Sequence, residues 1–282
     1  MAGVFLAMTL IVGGDTAGKV LTQSGVAPSF VAWSRFALAA VILVPLSAMQ
    51  RGEWRLLADW RVILRAALIA GGIFCILTAL RSEPMANVFG AFFVGPIVAY
   101  VASAVLLKER VTLARSILLA IGFLGVLLVV RPSGSVGAGI WWAVAAGCLH
   151  GGYLTATRWL AVSYRPRFLL ASQLMIGAVL LAPVGVVALP DLGAGGWGLI
   201  LVSALGSAFG NLILVLINRQ VPASVTAPLI YFQLVAATAY GLVVFNEWPD
   251  QITLAGLVVI LATGVAGFVL SRRPVRPSPA RP

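Results

Sequence analysis

The chain has 282 residues, of which 61% are apolar and 10% are charged. A soluble globular domain carries about 25% charged residues, so this chain has too few charges to cover a water-soluble surface. The composition therefore excludes a soluble globular enzyme and an intrinsically disordered chain. The formal net charge of +11 would suggest nucleic acid as the partner of a soluble protein, but the distribution of the charges gives a different explanation.

Apolar runs, separated by polar or proline- and glycine-containing breaks, predict ten membrane-spanning helices. One bilayer-spanning helix needs about 20 apolar residues, so ten helices leave room only for short connections and tails. The sequence thus predicts an all-α membrane protein without a soluble catalytic domain, and we do not expect an enzyme. The predicted spans are 2–20, 29–49, 62–80, 84–107, 112–130, 138–161, 167–188, 196–218, 222–246 and 252–271.

Lysine and arginine lie mostly in loops on one side of the predicted spans. If the N-terminus is cytoplasmic, fifteen of the 19 fall in inner loops and the C-terminal tail, among them Arg65, assigned to the loop before the third span. Only Lys19, Arg81 and Arg131 fall in outer loops, and Arg35 lies within the second span. The positive-inside rule therefore predicts that both termini are cytoplasmic. Basic residues along an anionic lipid surface also explain the net charge without nucleic acid.

The two halves of the chain resemble each other. Pro84 precedes Glu109 by 25 residues, Pro222 precedes Glu247 by 25, and a Thr-Leu pair follows each acid. Since each half contains five predicted spans, an odd number, the second half would be inverted in the membrane. Inverted repeats are typical of transporters, with a substrate site near the bilayer midplane. The predicted units are a first five-helix repeat at 1–131, a second, inverted five-helix repeat at 138–271, and a disordered basic tail at 272–282.

Three stretches of the sequence resemble one known family. They resemble motifs of the drug/metabolite transporter superfamily, EamA type. The first is Arg35-Phe36 with Ala39-Ala40 two residues further on, the second is Gly95-Pro96 separated by twelve residues from Glu109, and the third is the segment from Tyr231 to Pro249. The resemblance covers all of the chain except the tail and implies ten helices in two inverted halves. Within the family the chain is most similar to YddG-type amino-acid exporters. Gly95 stands where some of those exporters have a bulky aromatic, so we expect a wider cavity here.

The resemblance implies a transporter in the cytoplasmic (inner) membrane of a bacterium. It would export small neutral or amphipathic metabolites, amino acids including aromatic ones, by alternating access. Expected partners are the small-molecule substrate and membrane lipid. We expect a monomer without a cofactor, metal ion, nucleotide or nucleic acid. Two alternatives stay open at this point: a proton-coupled drug or cation exporter that uses Asp15, and a lipid-handling or structural membrane protein.

The segment from Gly13 to Lys19 is close to a phosphate-binding P-loop. Val20 stands where that motif needs a Ser or Thr to hold the metal ion, and no strand precedes the segment. We therefore predict no nucleotide site. Gly14 and Gly18, four residues apart, instead predict a close contact between two membrane helices.

The charged residues in or near the spans each have two interpretations. Asp15 is either an interfacial acid paired with Lys19 four residues later, or a membrane carboxylate that couples protons to transport. Arg35 either makes a structural pairing or captures a substrate carboxylate. Glu109 and Glu247 predict capping acids at positive helix ends.

The polar and aromatic residues near the midplane predict a substrate pocket. His150 lies at the middle of the sixth span, where Gly147, Gly151 and Gly152 would open space for a ligand. The alternative is a hydrogen bond between helices. Aromatic rings could stack on a ligand, and neutral polar groups could hydrogen-bond it without a fixed charge. We predict no catalytic residue. The predicted substrate-binding residues are Phe74, Thr78, Phe93, Pro96, Tyr100, His150, Tyr153, Asn211, Tyr231 and Gln233.

Overall fold

The computed structural model describes residues 2–108, 113–130, 137–220 and 232–271, and every regular element in these ranges is helical. The predictions for Tyr231, Glu109, Pro222 and the tail 272–282 lie outside the described residues. A short 3-10 turn, Val186–Ala188, follows the helix that ends at Gly185. The helices are α1 (Ala2–Gln23), α2 (Pro28–Leu46), α3 (Glu53–Leu56), α4 (Trp60–Ser82), α5 (Met85–Phe92), α6 (Val94–Leu106), α7 (Leu113–Val130), α8 (Ala138–Leu160), α9 (Pro166–Gly185), α10 (Ala194–Gln220), α11 (Phe232–Phe245) and α12 (Gln251–Ser271).

Six stretches of the described helices are long and apolar enough to cross a membrane. Many large apolar side chains on their outer faces are exposed, as a surface in contact with lipid requires. Three further apolar helices are shorter, at Ser116–Val129, Gln233–Phe245 and Gln251–Gly267. The described residues therefore form an all-helical structure with the apolar spans of a membrane protein, whereas the count of ten spans and the cytoplasmic termini stay predictions. The six stretches are Gly3–Gln23, Pro28–Leu46, Trp60–Ser82, Met85–Leu106, Pro166–Ala188 and Ala194–Ile213.

The predicted span 84–107 is not one continuous helix. It consists of α5 and α6, which meet at Phe93, a residue with φ −67° and ψ 2°. The cause is Pro96, which has no N–H to donate and whose ring would clash with a carbonyl group four residues earlier in a continuous helix. Starting a new helix at Val94 puts Pro96 in a first turn, where a missing N–H costs nothing.

Helix α1 packs closely on α10 through small residues. A methyl group at Gly14 would lie 2.8 Å from the Ser203 carbonyl oxygen, and one at Gly206 would lie 2.8 Å from the Leu10 carbonyl oxygen. Only residues without a side chain allow backbones to approach this closely in a membrane protein. The helix contact that the sequence predicted at Gly14 is therefore confirmed.

Glycines also bring α8 against the break between α5 and α6. A methyl group at Gly95 would lie 2.8 Å from the Gly147 carbonyl oxygen, and one at Gly151 would lie 2.5 Å from the Gly95 carbonyl oxygen. The backbone of the neighbouring helix therefore fills the space beside all three glycines. Two expectations are wrong for this reason: Gly95 does not widen a cavity, and Gly147 and Gly151 open space for a helix rather than a ligand.

Candidate functional site

A cavity of about 450 Å³ lies among α1, α2, α4, α5, α8, α9, α10 and α11. This volume is typical of small-molecule sites, and most of its wall is apolar. One end reaches the α8–α9 connection, where Ala161 and Pro166 line it. No metal-binding cluster of His, Cys, Asp or Glu occurs in the described parts of the chain. The polar and charged lining residues are Asp15, Arg35, Arg65, His150, Tyr153, Thr157, Gln173, Ser207, Asn211 and Gln233.

Four of the ten predicted substrate-binding residues line this cavity: His150, Tyr153, Asn211 and Gln233. The His150 ring lies 5.0 Å from the Phe92 ring and 5.6 Å from the Tyr153 ring, measured between centroids. The three rings form one aromatic wall. The Asn211 amide nitrogen donates to the Ser207 carbonyl oxygen at 2.8 Å, which holds the side chain against its own helix.

The other predicted residues lie elsewhere, and Tyr231 falls outside the described residues. Phe74 packs edge-on against Trp142, and the Thr78 hydroxyl donates to the Phe74 carbonyl oxygen at 2.8 Å. The Tyr100 hydroxyl lies 3.1 Å from that of Ser116. The cavity-lining face of α4 is a different one, formed by Ile69, Gly72, Ile73 and Ile76. The predicted residues that do not line the cavity are Phe74, Thr78, Phe93, Pro96 and Tyr100.

Asp15 and Arg35 form a buried ion pair beside the cavity. An Arg35 terminal nitrogen lies 2.6 Å from an Asp15 carboxylate oxygen, and Arg35 Nε donates to the Ser203 hydroxyl at 2.8 Å. The other terminal nitrogen of Arg35 donates to the Gly14 carbonyl oxygen. The structural pairing expected for Arg35 is confirmed, whereas the expected pairing of Asp15 with Lys19 is wrong. Pairing between helices neutralises two charges that would each be costly alone in a bilayer.

Lys19, one helical turn beyond Asp15, is fully buried and binds across the protein. Its ammonium group donates to the Glu83 carbonyl oxygen at 2.9 Å and to the Glu247 carboxylate, and lies 4.5 Å from the centroid of the Phe245 ring. The second carboxylate oxygen of Glu247 accepts from the Met85 backbone N–H at 2.8 Å. Glu247 therefore caps a positive helix end, as predicted, but the helix is α5.

Arg65 is the residue that the sequence interpretation misplaced. It is buried within α4 and lines the cavity, although it was counted as a loop charge. Its guanidinium donates to the Thr157 hydroxyl at 2.8 Å, the Leu169 carbonyl oxygen at 2.8 Å, the Tyr153 hydroxyl at 3.1 Å and the Gln173 side-chain oxygen at 2.9 Å. This cavity is thus not the neutral pocket that the sequence predicted.

A signal for Arg65 was present in the sequence. The residue falls inside the predicted span 62–80, and Ile69, Ile73 and Ile76 follow it at spacings of four, four and three. Such spacing places all four side chains on one helix face. An arginine inside a span should face a partner or a cavity rather than lipid, and all four residues line the cavity.

Two polar contacts join the connections near the α8–α9 end of the cavity. The Tyr164 hydroxyl donates to the Asp59 carboxylate at 2.6 Å, and Arg165 Nε donates to the Glu53 carboxylate at 2.8 Å. Hydrogen bonds from Arg61 and from Tyr164 lower the pKa of Asp59 from its ordinary value of 3.8 to about 2. Burial raises the pKa of Glu53, but hydrogen bonds from the Gln50 backbone and Arg165 outweigh it, so the pKa falls overall.

The chain is similar in sequence to three bacterial transporters. It is 24% identical to an S-adenosylmethionine uptake transporter of Rickettsia conorii, over 83% of this chain and 80% of that protein. It is 28% identical to a riboflavin transporter of Brucella anthropi, over 58% of this chain and 57% of that protein. It is 26% identical to the pseudopaline exporter CntI of Pseudomonas aeruginosa, over 75% of this chain and 74% of that protein.

A solved crystal structure shares the fold. The match covers 96% of this chain and 98% of that chain, with a TM-score of 0.69 and 18% sequence identity. At this identity the likeness concerns the fold alone. The family assignment comes from sequence: because the model of the EamA-like transporter family matches residues 1–131 and 137–270, this chain belongs to that family of membrane transporters.

Proposed function

We propose that this transporter exports small amphipathic metabolites, including aromatic amino acids, across the bacterial inner membrane by alternating access. The observation that carries the proposal is the cavity of about 450 Å³, which combines aromatic rings with charged and hydrogen-bonding groups inside an apolar helical protein. Polar groups within a membrane are costly, so their convergence on one cavity favours a solute-binding site. The outward direction and the amino-acid substrate rest on the resemblance to amino-acid exporters.

The two ends of the cavity differ in a way that favours an inward-facing state. In the predicted orientation, the α8–α9 connection lies on the cytoplasmic side, and Ala161 and Pro166 there line the cavity. Lys19 lies toward the opposite side, where its buried contacts with Glu247 and the Glu83 carbonyl join α1 to the start of α5 and the end of α11. Alternating access would require these outer contacts to separate.

Side chains around the cavity supply two kinds of contact for such a substrate. Phe92, His150 and Tyr153 offer ring faces and edges to an apolar ligand group. Asn211 and Gln233 offer hydrogen-bonding amides on α10 and α11. We propose that these five residues contact the ligand, while Phe74, Thr78, Phe93, Pro96 and Tyr100 support the helices around it.

The pairing of Asp15 argues against the alternative of a proton-coupled cation exporter. Such an exporter needs a carboxylate that exchanges a proton for a cationic solute. The Asp15 carboxylate already has Arg35 as its counter-charge at 2.6 Å. The charged and hydrogen-bonding groups within the mostly apolar wall likewise argue against a lipid-handling role, which would favour an apolar groove without them.

Counterflow with purified protein in liposomes tests the proposal. Liposomes loaded with unlabelled L-tryptophan should accumulate labelled L-tryptophan, and L-phenylalanine should compete. Liposomes containing protein with Gly147→Leu, which places a side chain against the α5 backbone, serve as a non-functional reference. Accumulation no greater than in protein-free liposomes, for every amino acid tried, would refute amino-acid transport.

A further inference from the structure

Among the residues that the structure describes, the cavity holds one positive charge that no carboxylate contacts. Three charged side chains line it: Asp15, Arg35 and Arg65. Asp15 and Arg35 neutralise each other. No carboxylate hydrogen-bonds or pairs with Arg65 in the part of the chain that the structure describes, and the acids nearest in sequence, Glu53 and Asp59, bind other partners.

The contacts of Arg65 hold it in place without cancelling its charge. All four acceptors are neutral oxygens, two hydroxyls, one amide and one backbone carbonyl. The guanidinium plane also lies over the Tyr153 ring, with 4.8 Å from its central carbon to the ring centroid. A buried cation without a counter-charge is costly in a membrane. A guanidinium group held in place at a cavity wall therefore favours the binding of an anionic ligand group.

Two hydrogen-bond donors remain at this wall. A guanidinium carries five N–H donors, and the four contacts of Arg65 leave one on the terminal nitrogen that binds Leu169. Gln173 accepts from Arg65 and Tyr153 through its side-chain oxygen, while its amide nitrogen has no partner among the described residues. Gln173 is buried and lines the same cavity. Two neighbouring donors suit the two oxygens of a carboxylate.

We infer that Arg65 and Gln173 form the subsite for a carboxylate group of the transported molecule. The inference rests on the proposed function, because it takes this cavity as the site of transport. It narrows the substrate class from amphipathic metabolites in general to those with a carboxylate. It also assigns the ends of the ligand: the carboxylate lies against α4 and α9, and the apolar group lies against Phe92 and His150.

Binding of matched ligands to purified protein tests the subsite. Three probes share an indole ring and differ in charge: indole-3-propionate, indole-3-propionamide and tryptamine. A phenyl series, 3-phenylpropionate with its amide and amine, repeats the comparison on a smaller ring. Calorimetry should give the acid of each series an affinity about 10- to 150-fold higher than its amide, the range expected for a charged hydrogen bond.

Gln173→Glu is the decisive variant. It keeps the side-chain oxygen that Arg65 and Tyr153 bind, and it puts a built-in carboxylate where the ligand carboxylate would lie. We expect it to abolish the preference for the acid over the amide. Arg65→Gln should do the same if it folds. Arg81→Gln, an exposed arginine on the same helix, should keep the wild-type preference.

The outcomes separate this inference from the proposed function. Equal binding of acid and amide to wild type, no binding of any probe, or an acid preference that survives Gln173→Glu would overturn the subsite. Acid binding that depends on Gln173, together with no counterflow of any amino acid, would uphold the subsite and refute transport of amino acids. Counterflow of an amino acid, together with equal binding of acid and amide, would uphold amino-acid transport and refute the subsite.

Discussion

Replacing Glu247 with Gln would remove the carboxylate that hydrogen-bonds and pairs with the buried Lys19 ammonium group. The described partners of that group are the Glu247 carboxylate, the Glu83 carbonyl oxygen and the Phe245 ring. Removing one partner of a buried ion pair costs about 3–5 kcal/mol. The Lys19 side chain has no exposed surface and that of Glu247 is 21% exposed. Because water already weakens the pair on the Glu247 side, we expect a loss of about 3 kcal/mol in unfolding free energy.

The reverse change should be milder. In Lys19→Met the side chain keeps its apolar length, and the remaining carboxylate is partly exposed and still accepts from the Met85 N–H. We expect a loss of about 1 kcal/mol. The double variant Lys19→Met/Glu247→Gln should lie close to Lys19→Met, because no buried charge is left to be unpaired.

Unfolding of the four proteins in one detergent, followed by circular dichroism against increasing SDS, measures these differences. The double-mutant cycle separates the pair from the single side chains. Equal losses for Glu247→Gln and Lys19→Met, or a double variant that loses the sum of both, would contradict the role of Lys19 as the buried charge that needs a partner.

Four further outcomes are expected. Gly147→Ala places a methyl group 2.5 Å from a backbone carbonyl oxygen and should lower stability by about 1–3 kcal/mol, whereas Gly198→Ala, with no atom within 4 Å, should not, as thermal unfolding will reveal. The lowered pKa of Asp59 means that its stabilising contribution is present above pH 3.8 and is lost as the pH falls toward about 2; Asp59→Asn should flatten this part of a stability–pH profile. His150→Ala and Gln233→Ala should each weaken apparent substrate affinity in counterflow roughly 5- to 150-fold; wild-type affinity in both would remove them from the site. Tags on both termini should resist external protease in intact cells, and cleavage of either would contradict the ten-span topology.

The positions of the helices could be predicted from the sequence, because they depend on the distribution of apolar residues along the chain. Long apolar runs predict helices because a bilayer leaves the backbone no other partner for its hydrogen bonds, and the described helices follow those runs. The break in the helix at Phe93 was not predicted, because the apolar stretch from Met85 to Leu106 is continuous in hydropathy. Pro96 was visible in the sequence, but a proline inside a membrane helix can also be tolerated, so its presence alone does not fix a break.

The partners of the charged side chains were harder to predict, because they depend on how the helices pack against each other. Asp15 and Lys19 are four residues apart, which suggests a pair along one helix. In the structure each binds a residue from another helix or connection, Arg35 and Glu247. Arg65 is a different case. Its place inside the predicted span 62–80 already indicated a membrane helix, and only its partners on α8 and α9 depend on how the helices pack.

The contact of α8 with the break between α5 and α6 has a consequence for how selectivity can evolve. Backbone meets backbone there, so in this chain a larger residue at Gly95, Gly147 or Gly151 would displace a helix. A mutation of one of these glycines would therefore destabilise the fold before it changed the shape of the cavity. Ile73 and Leu170, in contrast, line the cavity with full side chains, so a change in their size would alter the cavity without forcing two backbones apart.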